Sequence, residues 1–313
     1  SKKMKCFFEN KGKLRIKRAL LLPLLTLSVL PFLPGCGGSD AASSGPRYKV
    51  GVCDWMILKR QKIGAFRLAS EIGADGIALD MGSLGDRVRF ESKLDDTLGQ
   101  RRFHEEAAKY GQEIASIAMS GFYGQDFARR PEFESLTRQA ILTAKAMGTD
   151  VVFLPLGIHC NPKAHPELRD TLARRLKTVG DLAAREGVVI AIASKLPAAQ
   201  DVEFLREIGS KGVKVSVNFS DILENGLDIS SELRTWGKDN IAQIHCSNTD
   251  GFWIENDPAI DLPTVKKTLD EMGWSGWLLI ERSRDPQIVR EVKTNFSANA
   301  AYVKSIFQPK NQE

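Results

Sequence analysis

From Tyr48 onward the chain repeats one unit: a short apolar run closes on a polar residue, and a stretch of helical periodicity follows. The closing residues are Asp54, Asp80, Ser120, His159, Lys195, Asn218, His245 and Glu281, about 25 to 40 residues apart. A hydrophobic period of 2 within the runs and of about 3.6 between them marks alternating strands and helices. Eight such units over about 260 residues match a single (β/α)8 TIM barrel, an α/β fold that carries its chemistry at the C-terminal ends of its strands. A doubly wound sheet also alternates strand and helix. It calls for a glycine-rich phosphate cradle after the first strand, where this chain has Cys53-Asp54-Trp55-Met56.

The predicted strands are 48–55, 75–81, 113–120, 150–157, 187–195, 213–219, 240–247 and 276–283. The clearest helix follows the fourth: Leu168, Leu172, Leu176, Val179, Leu182 and Ala183 form one stripe, with Arg174, Arg175, Lys177 and Asp181 opposite, and Gly187 supplies the stop. Comparable helical units are expected over 63–72, 102–110, 136–147, 202–208, 262–272 and 289–306.

The first residues have a different character. Residues 1–18 carry eight Lys or Arg against one acid, Glu9, and residues 19–33 form an apolar run of 15. That length is short for a bilayer span and suits a secretory h-region; a short membrane anchor is the alternative. Leu33-Pro34-Gly35-Cys36 then resembles a bacterial lipobox, with Pro34 where a small residue is usual. The resemblance implies a signal peptide over 1–35, lipidation of Cys36, and an exported lipoprotein tethered to the cell envelope through that lipid. Residues 36–47 have linker composition, the barrel is expected over 48–308, and 309–313 form a tail.

Removing 1–35 lowers Lys+Arg from 44 to 36 and Asp+Glu from 39 to 38, so the net charge moves from +5 to about −2. The basic balance belongs to the leader, which argues against a nucleic-acid partner. Cys53, Cys160 and Cys246 have neither metal-finger nor redox spacing and are expected to be small buried residues.

Strand alternation selects the side chains that meet at the mouth. With Ile190 and Ile192 facing the helices, Ala191, Ala193 and Lys195 face the barrel axis; the same count turns Ser216 and Asn218, His245 and Ser247, and Glu281 and Ser283 inward. It sends Arg282 outward.

Further residues carry the resemblance to a family: Gly51-Val52-Cys53-Asp54-Trp55 in the first strand, Ala74-Asp75-Gly76 before the second, Glu186-Gly187-Val188 before the fifth, Ile244-His245 in the seventh, and Gly273-Trp274-Ser275-Gly276-Trp277 leading to Ile280-Glu281 in the eighth. From about Lys49 to Phe307 the chain resembles the xylose isomerase-like TIM barrels, the sugar phosphate isomerases and epimerases. The resemblance implies a divalent metal held by a Glu on the fifth strand, an acid on the sixth, a His on the seventh and a Glu on the eighth. The two Glu residues also move protons beside a sugar carbonyl. His245 and Glu281 match, whereas Ala193 and Asn218 replace the other two. Hard dications need anionic oxygens, so no metal cofactor is expected.

A lone inward Glu281 calls for a counter-charge, and Lys195 is expected to bring its ammonium into the space that the metal would fill. The expected catalytic set is therefore Glu281 as base, Lys195 as a cation polarising a carbonyl, and His245 moving or donating a proton. Each has a plainer reading: Lys195 at the surface, His245 as a hydrogen-bonded core residue, Glu281 as an ion-pair partner. Asp54, Trp55, Asp80, Asn218, His159 and Trp253 are the expected substrate contacts. For the two aspartates, helix capping or turn formation competes with that role, and His159 suits a surface loop; Trp55, Phe122, Tyr123, Phe252 and Trp253 lie just past strand ends, where they could stack on a sugar ring or serve loop packing.

The acidic seventh loop, from Asn248 to Asp257, favours an unphosphorylated sugar or sugar derivative. Two functions follow: an exported isomerase or epimerase working by proton transfer beside a carbonyl, or a lyase with a single base; and, from another class, an inactive barrel kept as a carbohydrate-binding lipoprotein. An endonuclease of the same barrel type would need several metal-binding histidines, and the chain has four His in all.

Overall fold

A computed structural model describes residues 47–309. The expected signal peptide, Cys36, nearly all of the tether and most of the tail lie outside them. Eight parallel strands close in chain order, β1 pairing with both β2 and β8. They are β1 (Tyr48–Cys53), β2 (Gly76–Asp80), β3 (Glu113–Ala118), β4 (Val151–Pro155), β5 (Val189–Ala193), β6 (Val213–Asn218), β7 (Ile241–His245) and β8 (Gly276–Ile280). The helices around them are α1 (Ala65–Ile72), α2 (Thr97–Lys109), α3 (Phe133–Ala146), α4 (Arg169–Arg185), α5 (Ala198–Ile208), α6 (Phe219–Glu224), α7 (Ile229–Trp236), α8 (Leu262–Met272) and α9 (Val292–Phe307). The expected (β/α)8 barrel is the observed fold.

Two apolar layers hold it. Outward strand residues such as Val50, Val52, Ile190, Ile192, Val215 and Val217 pack with the helices, including the α4 stripe from Leu172 to Ala183. Inside the barrel, Cys53, Trp55, Ala78, Ala115, Ala118, Phe153 and Leu279 form a second cluster. The small alanines leave room for Trp55 and Phe153, whose rings stack 6.3 Å apart at 6°. The three described cysteines are free and buried, as their spacing suggests.

The predicted strands overrun the observed ones at their C-terminal ends. β5 stops at Ala193 and β8 at Ile280, so Lys195, Glu281 and Arg282 lie on loops where the period of 2 no longer aims a side chain. The βα unit after β6 also differs from expectation. Asn218 caps α6 by accepting from Ser220 N, Asp228 caps α7 by accepting from Ser231 N, and these short helices enter the rim without a long apolar stripe.

Candidate active site

At the strands' C-terminal ends lies a cleft of about 260 Å³, walled in part by Tyr123, Ala193, Lys195, Asn218, Asp221, Glu281 and Arg282. A wider groove of about 400 Å³ opens near Lys211 and Asp239, beside the start of β6, away from the end where barrels of this kind carry their sites.

Glu281 anchors the cleft. It follows β8 directly, is 9 % exposed, and its backbone N–H donates to Ser247 Oγ at 3.0 Å. Tyr123 Oη donates to Oε1 at 2.8 Å, His245 Nδ1 to Oε2 at 3.1 Å and Asn218 Nδ2 to Oε2 at 3.3 Å. Burial alone would push the Glu281 carboxyl up, but the hydrogen bonds from His245 and Tyr123 and the charge of Arg282 hold it below the ordinary glutamate value. The result is a buried carboxylate that stays ionised.

Its hydrogen-bond partners come from two other strands and a loop. Asn218 and His245 are register partners at the ends of β6 and β7. Gln243 Nε2 lies 3.2 Å from His245 Nε2, so that ring nitrogen accepts and Nδ1 is the one that donates to Glu281. Phe153 packs on the imidazole with centroids 4.9 Å apart. Tyr123 arrives from the loop after β3, and Gly157 lets the β4 loop close on it: a Cβ at 157 would stand 2.1 Å from Tyr123 O. Burial, followed by the charge of Glu281, pushes the Tyr123 hydroxyl well above the usual phenol value, so it remains a donor.

Lys195 reaches the same cleft but does not pair with Glu281. It adopts φ 65°, and its Nζ lies 3.1 Å from Asp221 Oδ1 and 3.6 Å from Glu224 Oε2, both on α6. Burial works to lower its pKa, and the two carboxylates outweigh this and hold it above the ordinary lysine value. The expected Lys195–Glu281 ion pair is thus replaced by Lys195–Asp221, because the left-handed residue turns the chain out of the strand register and α6 offers acids first. Asp221 and Glu224 are wall residues that alternation did not reveal, and Tyr123, expected as a stacking or packing aromatic past a strand end, lines the cleft as a donor to Glu281. Arg282, expected to face outward, lines the cleft because β8 has already ended.

The other expected contacts divide. Asn218 lies in the site. Asp54 and Asp80 are fully buried and shape loops instead: Asp54 accepts from Gln61 N at 3.0 Å and Asp80 N at 3.2 Å, and Asp80 from Gly82 N at 2.7 Å and Ser120 N at 3.2 Å. The turn-forming alternative holds for both. Trp55 belongs to the inner cluster rather than the cleft wall, and its indole N–H finds no protein acceptor. His159 is exposed and does not line the cleft. Trp253 is tied to α9, its Nε1 donating to Asn295 Oδ1 at 2.9 Å, which removes it from the site.

Residues 66–306 match the family model described as xylose isomerase-like TIM barrel. The chain belongs to this family. Among curated proteins, this xylose isomerase-like barrel is 27 % identical over 201 residues to a 2-epi-5-epi-valiolone 7-phosphate 2-epimerase of an Actinoplanes species, covering 62 % of this chain and 71 % of that protein. Among solved structures, the 3-keto-D-glucoside 4-epimerase of E. coli superposes with a TM-score of 0.64 at 14 % identity, over 82 % of this chain and 99 % of that one. A sugar phosphate isomerase/epimerase from Parabacteroides distasonis gives 0.65 at 13 % identity, over 87 % and 100 %. At those identities the two structures show the shared fold.

The donor set distinguishes this xylose isomerase-like barrel from the metal pattern implied by the resemblance. At the four positions stand Ala193, Asn218, His245 and Glu281: a methyl, an amide, an imidazole and one carboxylate. The Asn218 amide N–H donates to Glu281, and its oxygen accepts from Ser220 N and Oγ. Among the described residues no three His, Cys, Asp or Glu side chains converge as metal ligands. These residues do not fit a hard dication, which is held by several anionic oxygens.

Proposed function

We propose that this protein acts on a sugar or sugar derivative bearing a carbonyl, and moves a proton at the adjacent carbon without a divalent metal. The observation that carries the reading is Glu281, an ionised carboxylate held by three donors on the wall of a cleft that also receives the Lys195 ammonium. The epimerase names of the relatives support the reaction class.

In this scheme the substrate lies along Glu281 in the cleft. Glu281 takes the proton from the carbon beside the carbonyl, and negative charge grows on the carbonyl oxygen. Lys195, fixed by Asp221 and Glu224, supplies positive charge to that oxygen. His245 keeps its Nδ1–H on Glu281 Oε2 and Tyr123 its hydroxyl on Oε1, so both orient the base. Return of the proton from Glu281 to the former carbonyl carbon, with proton exchange between the oxygens, gives an isomer; an epimer requires that the same carbon be reprotonated on its opposite face, by a solvent proton while the proton on Glu281 is released to solvent.

One observation favours a second reading, a carbohydrate-binding barrel without turnover: Ala193 stands where the resemblance puts the second glutamate base, leaving one carboxylate of the pair. From the basic and apolar leader and Cys36 we also infer export and lipid attachment, tested by radiolabelled palmitate uptake in native and Cys36→Ser forms.

The test of function is solvent exchange. Native protein and Glu281→Gln are incubated in D2O with ketohexoses and with the two probes that the relatives' names suggest, a 3-keto-glucoside and a cyclitol ketone phosphate. Proton NMR then follows loss of the signal beside the carbonyl. Exchange by the native protein, lost in Glu281→Gln, is expected. Saturable binding without exchange would replace this reading with the carbohydrate-binding one.

A further inference from the structure

Behind the cleft wall lies a buried carboxylate that the scheme above does not use. Asp201, on α5, is 2 % exposed. It accepts a hydrogen bond from Ser194 Oγ, and Trp236 Nε1 of α7 donates to its Oδ2 at 3.1 Å. Ser194 Oγ in turn accepts from Leu196 N at 3.1 Å. Asp201 thus reaches, through one hydroxyl, both neighbours of Lys195.

Lys195 needs such support. It is one of four non-glycine residues with positive φ among those described, a conformation in which a side chain other than glycine's is strained unless its surroundings impose it. On its far side Asn225 Nδ2 donates to the Lys195 carbonyl at 3.4 Å. A space of about 10 Å³, large enough for one water, lies among Ser194, Lys195, Asp201, Asn218, Asp221 and Trp236. The Asp201 compartment therefore shares a wall with the Lys195–Asp221 pair.

We propose that Asp201 is a positioning residue for Lys195: by gripping Ser194 it holds the turn after β5 in the left-handed form that delivers the ammonium to the cleft. Asp201 touches no substrate and acts only through that turn. The consequence for turnover rests on reading the cleft as a sugar site; the link between Asp201 and Lys195 does not.

The link is sensitive to pH near neutrality. Burial pushes the Asp201 carboxyl up to about 7, against the hydrogen bonds of Ser194 and Trp236; Glu232 of α7 raises it further and Arg169 of α4 lowers it. Above that pH Asp201 is an anion accepting from Ser194. Below it, the added proton competes for the same hydroxyl and loosens the grip.

The test uses the whole protein and no substrate. Reductive methylation with 13C-formaldehyde gives each lysine a dimethylammonium signal, and Lys195→Arg assigns the one from Lys195. In native protein the Lys195 signal should stand apart from those of the exposed lysines and show an inflection near pH 7. In Ser194→Ala, and likewise in Asp201→Asn, it should move onto the exposed group and lose that inflection, while melting confirms a folded protein. A folded Ser194→Ala whose Lys195 signal keeps its native shift and inflection overturns the proposal. If neither variant folds, absence of the native inflection overturns it. A protein that binds no sugar at all would still give a decisive Lys195 spectrum, so failure of the functional reading and failure of this link are told apart.

Discussion

Lys195 Nζ lies 3.1 Å from Asp221 Oδ1 on the wall of a cleft that it shares with Glu281. Base and cation therefore do not neutralise one another before substrate arrives. The ammonium is anchored by α6, and the carboxylate by β6, β7 and the loop after β3. A charge on the carbonyl oxygen can then form against a cation that needs little rearrangement.

Lys195→Met should lower the proton-exchange rate on the best substrate by about 100-fold, the loss typical of a single preorganised charge stabiliser. Because the Lys195 side chain is 42 % exposed, stability should fall by less than about 1 kcal/mol. Initial-rate exchange measurements and urea melts check the two arms; an unchanged rate would remove Lys195 from the chemistry.

Glu281 is held below the ordinary glutamate value, against its burial, by His245, Tyr123 and Arg282. A depressed folded-state pKa means that the stability from its ionisation is present above the unfolded value and is lost as pH falls through the folded one. Activity that needs the carboxylate should likewise persist into acid. Tyr123→Phe removes one donor, so the acid limb of the rate profile should move to higher pH, and stability should drop by about 1.5 to 3 kcal/mol, as for a hydrogen bond to a charged group. Gly157→Ala, whose Cβ would press on Tyr123 O, should move the limb the same way. Profiles that coincide with the native one would show that Tyr123 does not tune the base.

Asp201 behaves oppositely. Its carboxyl is raised from 3.8 to about 7, so the stability linked to its protonation is complete below the unfolded value and is lost as pH rises through about 7. The difference in unfolding free energy between native protein and Asp201→Asn should therefore shift by a few kcal/mol against the native form between pH 4 and pH 8. Melts across that range measure it, and a flat difference would mean that Asp201 is not raised.

The absent metal pattern is reversible by design. Restoring carboxylates with the double substitution Ala193→Glu and Asn218→Asp, beside His245 and Glu281, should give Mn²⁺ binding tighter than that of the native protein, measured by isothermal titration. Equal Mn²⁺ binding by both proteins would show that the native residues already hold the ion.

The barrel was legible because most strand residues are apolar and buried on both faces, with helical periodicity between the runs. His245, Asn218 and Glu281 were legible because alternation persists to the ends of β6 and β7 and fails only one residue before Glu281. Lys195 lies two residues beyond β5 at positive φ, and there the local backbone, not the strand period, decides direction. Asp221 and Glu224 sit on a single short helix begun by the Asn218 cap, with no stripe to announce it. Tyr123 meets Glu281 across 158 residues of sequence, a contact that only closure of the barrel creates. Asp54 and Asp80 close their strands as expected, yet their oxygens are taken by loop N–H groups, the ordinary fate of an aspartate at a turn.

The most direct test of a metal-independent Glu281 base is the proton-exchange rate of native protein before and after exhaustive chelation, with metal content followed by elemental analysis. The rate is expected to be unchanged in protein stripped of Mn, Mg, Zn and Co, and abolished by Glu281→Gln. A rate lost on chelation and restored by one of those ions at one equivalent would contradict the account.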